Sequence, residues 1–260
     1  MGVSLLAVAT LWWREITRFR RQRSRVIGAL GQPVVFWLLL GGGLSASFRP
    51  MGVPEGTNYL EYFYPGIIVL VMLFTAIFAT IAVVEDRREG FLQGVLIAPV
   101  SRASIVLGQA FGGTTLALLQ GVLLLLLAPI AGVSLSLWSV LTVAVVLFCL
   151  AFSLTNLGLI IAWRMQSTQG FHAIMNLLLI PLWLLSGAFF PVTGVPVWLV
   201  WIMRINPLTY GMAALRRCLY FTRIEAAGAV PALAPAFGVI LLFGILTLLG
   251  AVHVAKRSAL

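Results

Sequence analysis

The chain has 260 residues, of which 61% are hydrophobic and only 9% charged, with a mean hydropathy of +1.08. Soluble domains run about half apolar and about a quarter charged, so this composition excludes a soluble fold and predicts a polytopic, all-α membrane protein. The net charge of +10 would point to nucleic acid in a soluble protein, but here the arginines adjoin apolar runs; anionic lipid headgroups and the positive-inside rule account for them, and no nucleic-acid partner is expected.

Residues 3–25, VSLLAVATLWWREITRFRRQRSR, place Leu5, Ala9, Trp12, Ile16 and Phe19 at helical spacing and Arg14, Arg18, Arg21 and Arg25 on other faces. With Trp12 and Trp13 on its boundary and no long apolar core, this basic amphipathic helix is predicted to lie in the headgroup plane and contact membrane lipid. The first crossing is expected over 26–44, broken by Pro33, and a polar loop with Glu55 and Glu61 follows. The second crossing, 62–84, stops at EDRREG, residues 85–90, which hold five of the chain's twenty-four charges. The third spans 105–131 and the fourth 137–163. The fifth runs from Gly170 past Pro181 to Phe190, and the sixth covers 236–254 before a basic tail.

Between the last two lies 191–229, apolar in parts but interrupted by Arg204, Asn206 and Pro207. A lone span with a central arginine costs at least ~2.5 kcal/mol, so the stretch reads as a pair of short re-entrant or interfacial helices covered by protein. A seventh crossing is the rival. Six crossings with an inside N-terminus put twelve basic residues inside and five outside, which favours cytoplasmic N- and C-termini. Arg216, Arg217 and Arg223 stand against that rule.

Several chemistries are excluded. The only lysine, Lys256, follows AVHVA, so there is no P-loop and no cofactor is expected on this chain. No predicted span holds an interior carboxylate to carry a proton or couple an ion, and His172 and His253 sit near span ends. No G-x-S-x-G occurs, and Asp86 is the only aspartate, so hydrolase and metal-dependent phosphotransferase readings lose their residues. Cys149 and Cys218 offer neither a disulfide framework nor metal spacing. A channel lined by backbone and small residues, or a scaffold without transport, stays open.

The informative segment is 85–102, EDRREGFLQGVLIAPVSR. Its charged head, Glu85, Asp86, Arg87, Arg88, Glu89 and Gly90, is followed by Phe91, Leu92, Val95 and Leu96 on one face of a short helix. Pro99 ends that helix and Ser101 caps the next span. A short amphipathic helix between two crossings suits insertion into a groove on a soluble motor. Residues 85–108 resemble the cytoplasmic segment of ABC-2 type permeases, the membrane subunits of bacterial ABC exporters, as do GAFFP at 187–191 and NPLTYGMAALR at 206–216.

The resemblance covers the whole chain as one transmembrane domain, residues 1–260, of a multi-pass protein of the bacterial inner membrane. It implies a permease that pairs with a second copy or a homologous permease and with separate ABC ATPase subunits, which would hold the ATP and Mg. Residues 85–102 would be the coupling helix, and 3–25 a connecting helix with Trp12, Trp13, Arg14, Arg18 and Arg21. Residues 191–229 would be the outward re-entrant region, with Gly187, Pro191, Asn206, Pro207, Tyr210 and Arg216, and Asn206, Pro207 and Tyr210 are expected to shape its turn. The implied cargo is hydrophobic or amphipathic: a drug or antibiotic, a lipid, or a lipid-linked glycan or polysaccharide. Phe36, Trp37, Phe74, Phe78, Phe148, Phe152, Trp183, Phe189 and Phe190 are candidates to line its path. Gly108 and Gly112 form a small-xxx-small pair for close helix approach, within one protomer or between two.

Overall fold

Helix starts are written into the sequence as polar caps. The side chains of Asn58, Ser101, Ser136, Ser167 and Asn206 each accept a backbone N–H two or three residues onward, opening α3 (Tyr59–Ala79), α6 (Arg102–Leu124), α7 (Leu137–Ala162), α8 (Thr168–Trp183) and α10 (Pro207–Leu219). The structure, a computed structural model, describes residues 3–21, 23–44, 58–221 and 223–257. Its remaining helices are α1 (Leu5–Arg21), α2 (Arg23–Leu44), α4 (Ile81–Arg88), α5 (Phe91–Ile97), α9 (Val197–Ile205) and α11 (Leu233–Arg257), and the described residues contain no strand. Among the described residues, five stretches are long and apolar enough to cross a membrane: 59–88, 102–127, 137–162, 168–188 and 233–257. The expected first crossing corresponds to α2, whose described apolar part, Val34–Gly43, is shorter than a span. The loop with Glu55 lies outside the described residues.

α3 is the centre of the bundle. Its span is 78% buried, against 28% for α11, and it packs on α2, α6, α7, α8 and α10. Phe63, Ile67, Ile68, Met72, Leu73 and Ile77 fill the middle, and the outer helices turn leucines and isoleucines outward, as a lipid-facing surface requires. Within this apolar interior Thr75 donates a hydrogen bond to Gln120.

Small residues set the tightest approaches. A Cβ on Gly108 would lie 2.7 Å from Leu11 Cβ, and one on Gly112 would lie 2.7 Å from Glu15 Cβ. The small-xxx-small pair therefore receives α1 of the same chain. α1 runs parallel to the first half of α6, with Ser4 N–H donating to Ser104 Oγ at 2.9 Å and Trp12 Nε1 to Thr115 Oγ1 at 3.0 Å. The packed face is thus Val8, Leu11, Trp12 and Glu15, whereas Leu5, placed on the apolar face from sequence, is exposed.

Two boundaries differ from expectation. The second span does not stop before the charged run: after a bend at Thr80 the helix continues as α4 through Glu85–Arg88. Thirty residues from 59 to 88 make a rod of about 45 Å, longer than a hydrocarbon core of about 30 Å, so the charged end stands clear of the lipid. The fifth span ends at Ala188, not Phe190, and its last five residues, Leu184–Ala188, unwind into a π-turn with Gly187 at φ 82°. Between there and α11, residues 191–229 hold α9, α10 and a 3-10 turn, Ile224–Ala227.

Candidate functional site

At the α5 end of the bundle, α4 presents Glu85 and Asp86 to α1. Arg14 grips Asp86 with both arms of its guanidinium, Nη1 donating to Oδ2 at 2.6 Å and Nη2 to Oδ1 at 2.5 Å. One turn on, Arg18 donates Nη1 to Asp86 Oδ1 at 3.2 Å and Nη2 to Glu85. Asp86 is only 1% exposed. A carboxylate so far from water persists as an ion only when held by partners, and the two arginines, spaced one helical turn apart, supply them. Arg14 also donates to Glu15 at 3.2 Å and lies over the Phe91 ring, 3.9 Å from its centroid. The Asp86 hydrogen bond, opposed by desolvation and helped by the charges of Asp86, Glu15 and Glu89, holds the Arg14 guanidinium above its ordinary pKa.

The other half of the charged run turns to the neighbouring span ends. Arg87 donates to Trp163 O at 2.7 Å and Met165 O at 2.9 Å, capping the carbonyl end of α7. Arg88 reaches Thr168 Oγ1, at the start of α8, at 3.5 Å. Glu89 is exposed, and Gly90, at φ 80°, makes the left-handed turn into α5 that a side chain would strain. Six consecutive residues thus tie α1, α7, α8 and α5 together.

The short helix lies where the sequence places it, but its apolar face turns inward. Leu92 is buried and Val95 and Leu96 pack against the core, while Gln93, Gly94, Ile97 and Pro99 are exposed and Phe91 is partly covered by Arg14. The face open to a partner is therefore Phe91, Gln93, Gly94 and Ile97, not Leu92, Val95 and Leu96. The sequence shows one stripe; whether a seven-residue helix spends it on its own bundle or on a partner depends on the roll of the helix after Gly90.

At the opposite end the segments 187–191 and 206–216 interlock. The π-turn leaves carbonyls without their usual helical donors. Asn206, which caps α10 by accepting Leu208 N–H at 2.9 Å, donates its amide to Leu182 O at 2.7 Å, and Thr209 donates to Leu185 O at 3.2 Å and Met203 O at 2.6 Å. Tyr210 closes α9 by donating to Arg204 O at 2.9 Å. Gly187 O accepts from Tyr62 Oη at 3.2 Å and Arg216 Nη2 at 3.3 Å, and Trp183 Nε1 donates to Gly66 O at 2.8 Å. Pro65 has no N–H to give Glu61 O, and that carbonyl instead accepts the Tyr220 hydroxyl at 2.8 Å.

A bundle with a salt-bridged helix docked beside a charged span end, and a proline-capped helix pair folded over a π-turn at the far end, can be set against known proteins. The family profile for the ABC-2 type transporter matches residues 7–220. The chain belongs to that family. It is similar to a protein described as a transport permease, ycf38, of Cyanophora paradoxa, 31% identical over 78% of this chain and 70% of that one. Nodulation protein J of Rhizobium leguminosarum bv. viciae is 26% identical over 83% and 85% of the two chains. The inner membrane transport permease YadH of Escherichia coli K12 is 24% identical over 83% and 84%. The protein is accordingly a transport permease, a membrane subunit whose 260 residues carry no P-loop.

The permease's remaining predicted residues are scattered. Trp13 and Arg21 are exposed on α1, Pro191 is half-buried beyond the π-turn, and Pro207 occupies the first turn of α10. Sequence reading missed Glu15, which is buried against Gly112, and Tyr62, whose ring and carbonyl meet Arg216. The opposite charges Arg14/Arg18 and Glu85/Asp86, each within one helical turn, were the available signal for the α1–α4 clamp.

Proposed function

We propose that this permease forms, with a second copy or a homologous permease, the membrane path of an exporter driven by separate ABC ATPase subunits that bind ATP and Mg. The single observation that carries this reading is the α1–α4–α5 corner: an exposed short-helix face with Ile97 86% exposed, mounted on a charged clamp that leaves no slack between α5 and three spans. A helix that only turned the chain around would need neither the exposed apolar residue nor the rigid mount; a helix that receives force needs both.

In this reading α2 is the first of six crossings. α11 runs parallel to α7, since Gly244 meets Ser153 and Gly250 meets Ile160, so the end of α11 falls on the α5 side with α1. That arrangement supports cytoplasmic N- and C-termini in a bacterial inner-membrane protein, α9 and α10 as the re-entrant pair outside, and 85–102 as the coupling region. The filled centre of the bundle favours a path between copies for a hydrophobic or amphipathic cargo.

The test is purification of the tagged full chain in gentle detergent, with intact-complex mass. Two permease copies with two P-loop ATPase subunits are expected; an isolated single permease in an otherwise intact preparation would refute the pairing. A cysteine at position 225 should label from outside, and labelling only from inside would refute the topology.

A further inference from the structure

Three arginines, Arg216, Arg217 and Arg223, run against the inside-positive pattern, and the structure collects them at the end of the bundle opposite α5. Two are held near the surface by carbonyl acceptors or by a carboxylate. Arg217 donates Nε to Pro231 O at 2.5 Å and Nη2 to Val230 O at 2.8 Å. Arg223 pairs with Glu61 Oε1 at 3.0 Å and donates to Gly132 O at 2.9 Å, and Glu225 lies exposed beside it.

Arg216 is different. It is 2% exposed, and among the described residues no carboxylate pairs with it. Its Nη2 is shared between Tyr62 O at 3.1 Å and Gly187 O at 3.3 Å, and the Tyr62 ring lies 4.0 Å from its central carbon. Its Nε is buried without a hydrogen-bond partner. A guanidinium cannot shed its proton, so a whole positive charge is held here by two carbonyl dipoles and a ring face. A buried ion with an unused donor on its fork is an expensive feature unless something occupies that donor.

Arg216 also borders a cavity, from which its Nε is itself closed off. Arg216, Tyr62, Ser186, Gly187 and Thr209 are among the residues lining this cavity of about 30 Å³, the 227–231 turn forms another part of its wall, and exposed Ala229 lies at the rim. One water takes about 10–15 Å³ on this scale, so the cavity admits about two or three water-sized groups, the dimensions of an oxyanion's oxygens. The wall is largely apolar, which suits an oxyanion carrying an organic substituent better than a hydrated inorganic ion.

We infer that this cavity is a phosphate-binding site, in which the Arg216 guanidinium takes a phosphate or phosphodiester oxygen at the outer end of the bundle. The phosphate could be free in solution or carried on a lipid headgroup; the chemistry recognised is the same, and the inference stands independently of the α5 docking reading. Two arms separate the sources. In the first, the full-length permease in neutral detergent is titrated with sodium phosphate against sodium chloride at matched ionic strength, reading thermal unfolding. In the second, the permease in the same phosphate-free detergent is titrated with phosphatidylglycerol in mixed micelles against diacylglycerol, which lacks the phosphate.

A saturable rise of about 2–4 °C in at least one arm is expected. Arg216→Met should abolish it. Because that change also releases the Tyr62 and Gly187 carbonyls, Ala229→Leu serves as the second variant: it fills the rim, leaves every Arg216 contact in place, and should abolish the response in a folded protein. A response to phosphate alone identifies a soluble or cargo-borne anion, and one to phosphatidylglycerol alone identifies a lipid site. No saturable response in either arm, or one that survives both variants, overturns the inference and leaves the cavity to water.

Discussion

Replacing Asp86 with asparagine tests the clamp at its centre. The substitution keeps the side-chain volume and removes the charge that Arg14 contacts at 2.5 and 2.6 Å and Arg18 at 3.2 Å. A hydrogen bond to a charged group is worth about 1.5–3 kcal/mol, and breaking a buried ion pair costs about 3–5 kcal/mol. The arginine side chains, however, are 29% and 23% exposed, so water takes back part of the loss when the pair is broken. Glu15 and Glu85 also remain as partners. The loss for α1 docking should therefore be about 2–4 kcal/mol, which at a factor of ten per 1.4 kcal/mol is roughly 30- to 700-fold in the opening equilibrium. Hydrogen–deuterium exchange of the full chain in nanodiscs reads this directly: amides of α1 should exchange faster by that factor while those of α3 and α7 keep their protection. Exchange of α1 within about threefold of the unaltered protein would refute the claim that Asp86 fastens α1, and would assign that role to the glycine contacts on α6.

Gly112→Leu should separate α1 from α6, because even the Cβ would sit 2.7 Å from Glu15 Cβ; a loss of about 1–3 kcal/mol is expected by the same exchange measurement, while Gly94→Ala, with nothing within 4 Å, should be neutral or slightly stabilising. Asn206→Ala removes both the cap on α10 and the donor to Leu182 O, for about 1–3 kcal/mol, whereas Asn206→Asp keeps the cap and should fall in between; equal melting temperatures for the two would contradict the double role. Leu92→Ala should destabilise the permease by about 2–5 kcal/mol, and Ile97→Asp should leave melting unchanged while reducing cargo-stimulated ATP hydrolysis in the assembled complex; unimpaired stimulation in Ile97→Asp would remove Ile97 from the docking face.

Five of the six expected spans were legible because apolar length is a strong signal, and the cap at Ser101 could be read from residue type alone. The charged run 85–90 was recognisable as a junction, yet the helix does not stop before it: α4 continues because Arg87 and Arg88 find carbonyl and hydroxyl acceptors on α7 and α8, a tertiary reward that local composition does not record. The inward roll of Leu92 was hidden for the same reason. Gly108 and Gly112 announced a close helix approach without naming the partner, since a Gly-x-x-x-Gly pattern specifies only the absence of side chains on one face. Arg216 was visible as an exception to charge bias and as the last residue of the 206–216 resemblance, but not as a buried charge. Its burial depends on a carbonyl released by a π-turn thirty residues earlier, and no pattern within α10 could show that.

The list of aromatic residues drawn from sequence as candidates for a cargo path divides once the packing is known, and the division bears on where a path can run. Trp37 and Trp183 are buried, each donating its indole N–H to a carbonyl of α3, so they belong to the scaffold. Phe189 sits among Tyr59, Phe63 and Trp183 and helps close the same core. Phe36 and Phe148 are 44% and 40% exposed on the outer surface. Along the axis of a single bundle, α3 offers fully buried Phe63, Ile67, Ile68, Met72 and Ile77, a column closed to solvent. Moving a cargo through that column would mean dismantling the most buried helix and, with it, the rod that joins Asp86 to the Tyr62–Arg216 corner. A surface between two permeases requires only that outward apolar faces part and meet again. Under the proposed pairing of two permeases, the arrangement of the buried aromatics favours transport at the interface between copies, with Phe36 or Phe148, and not Trp37 or Trp183, in reach of a cargo.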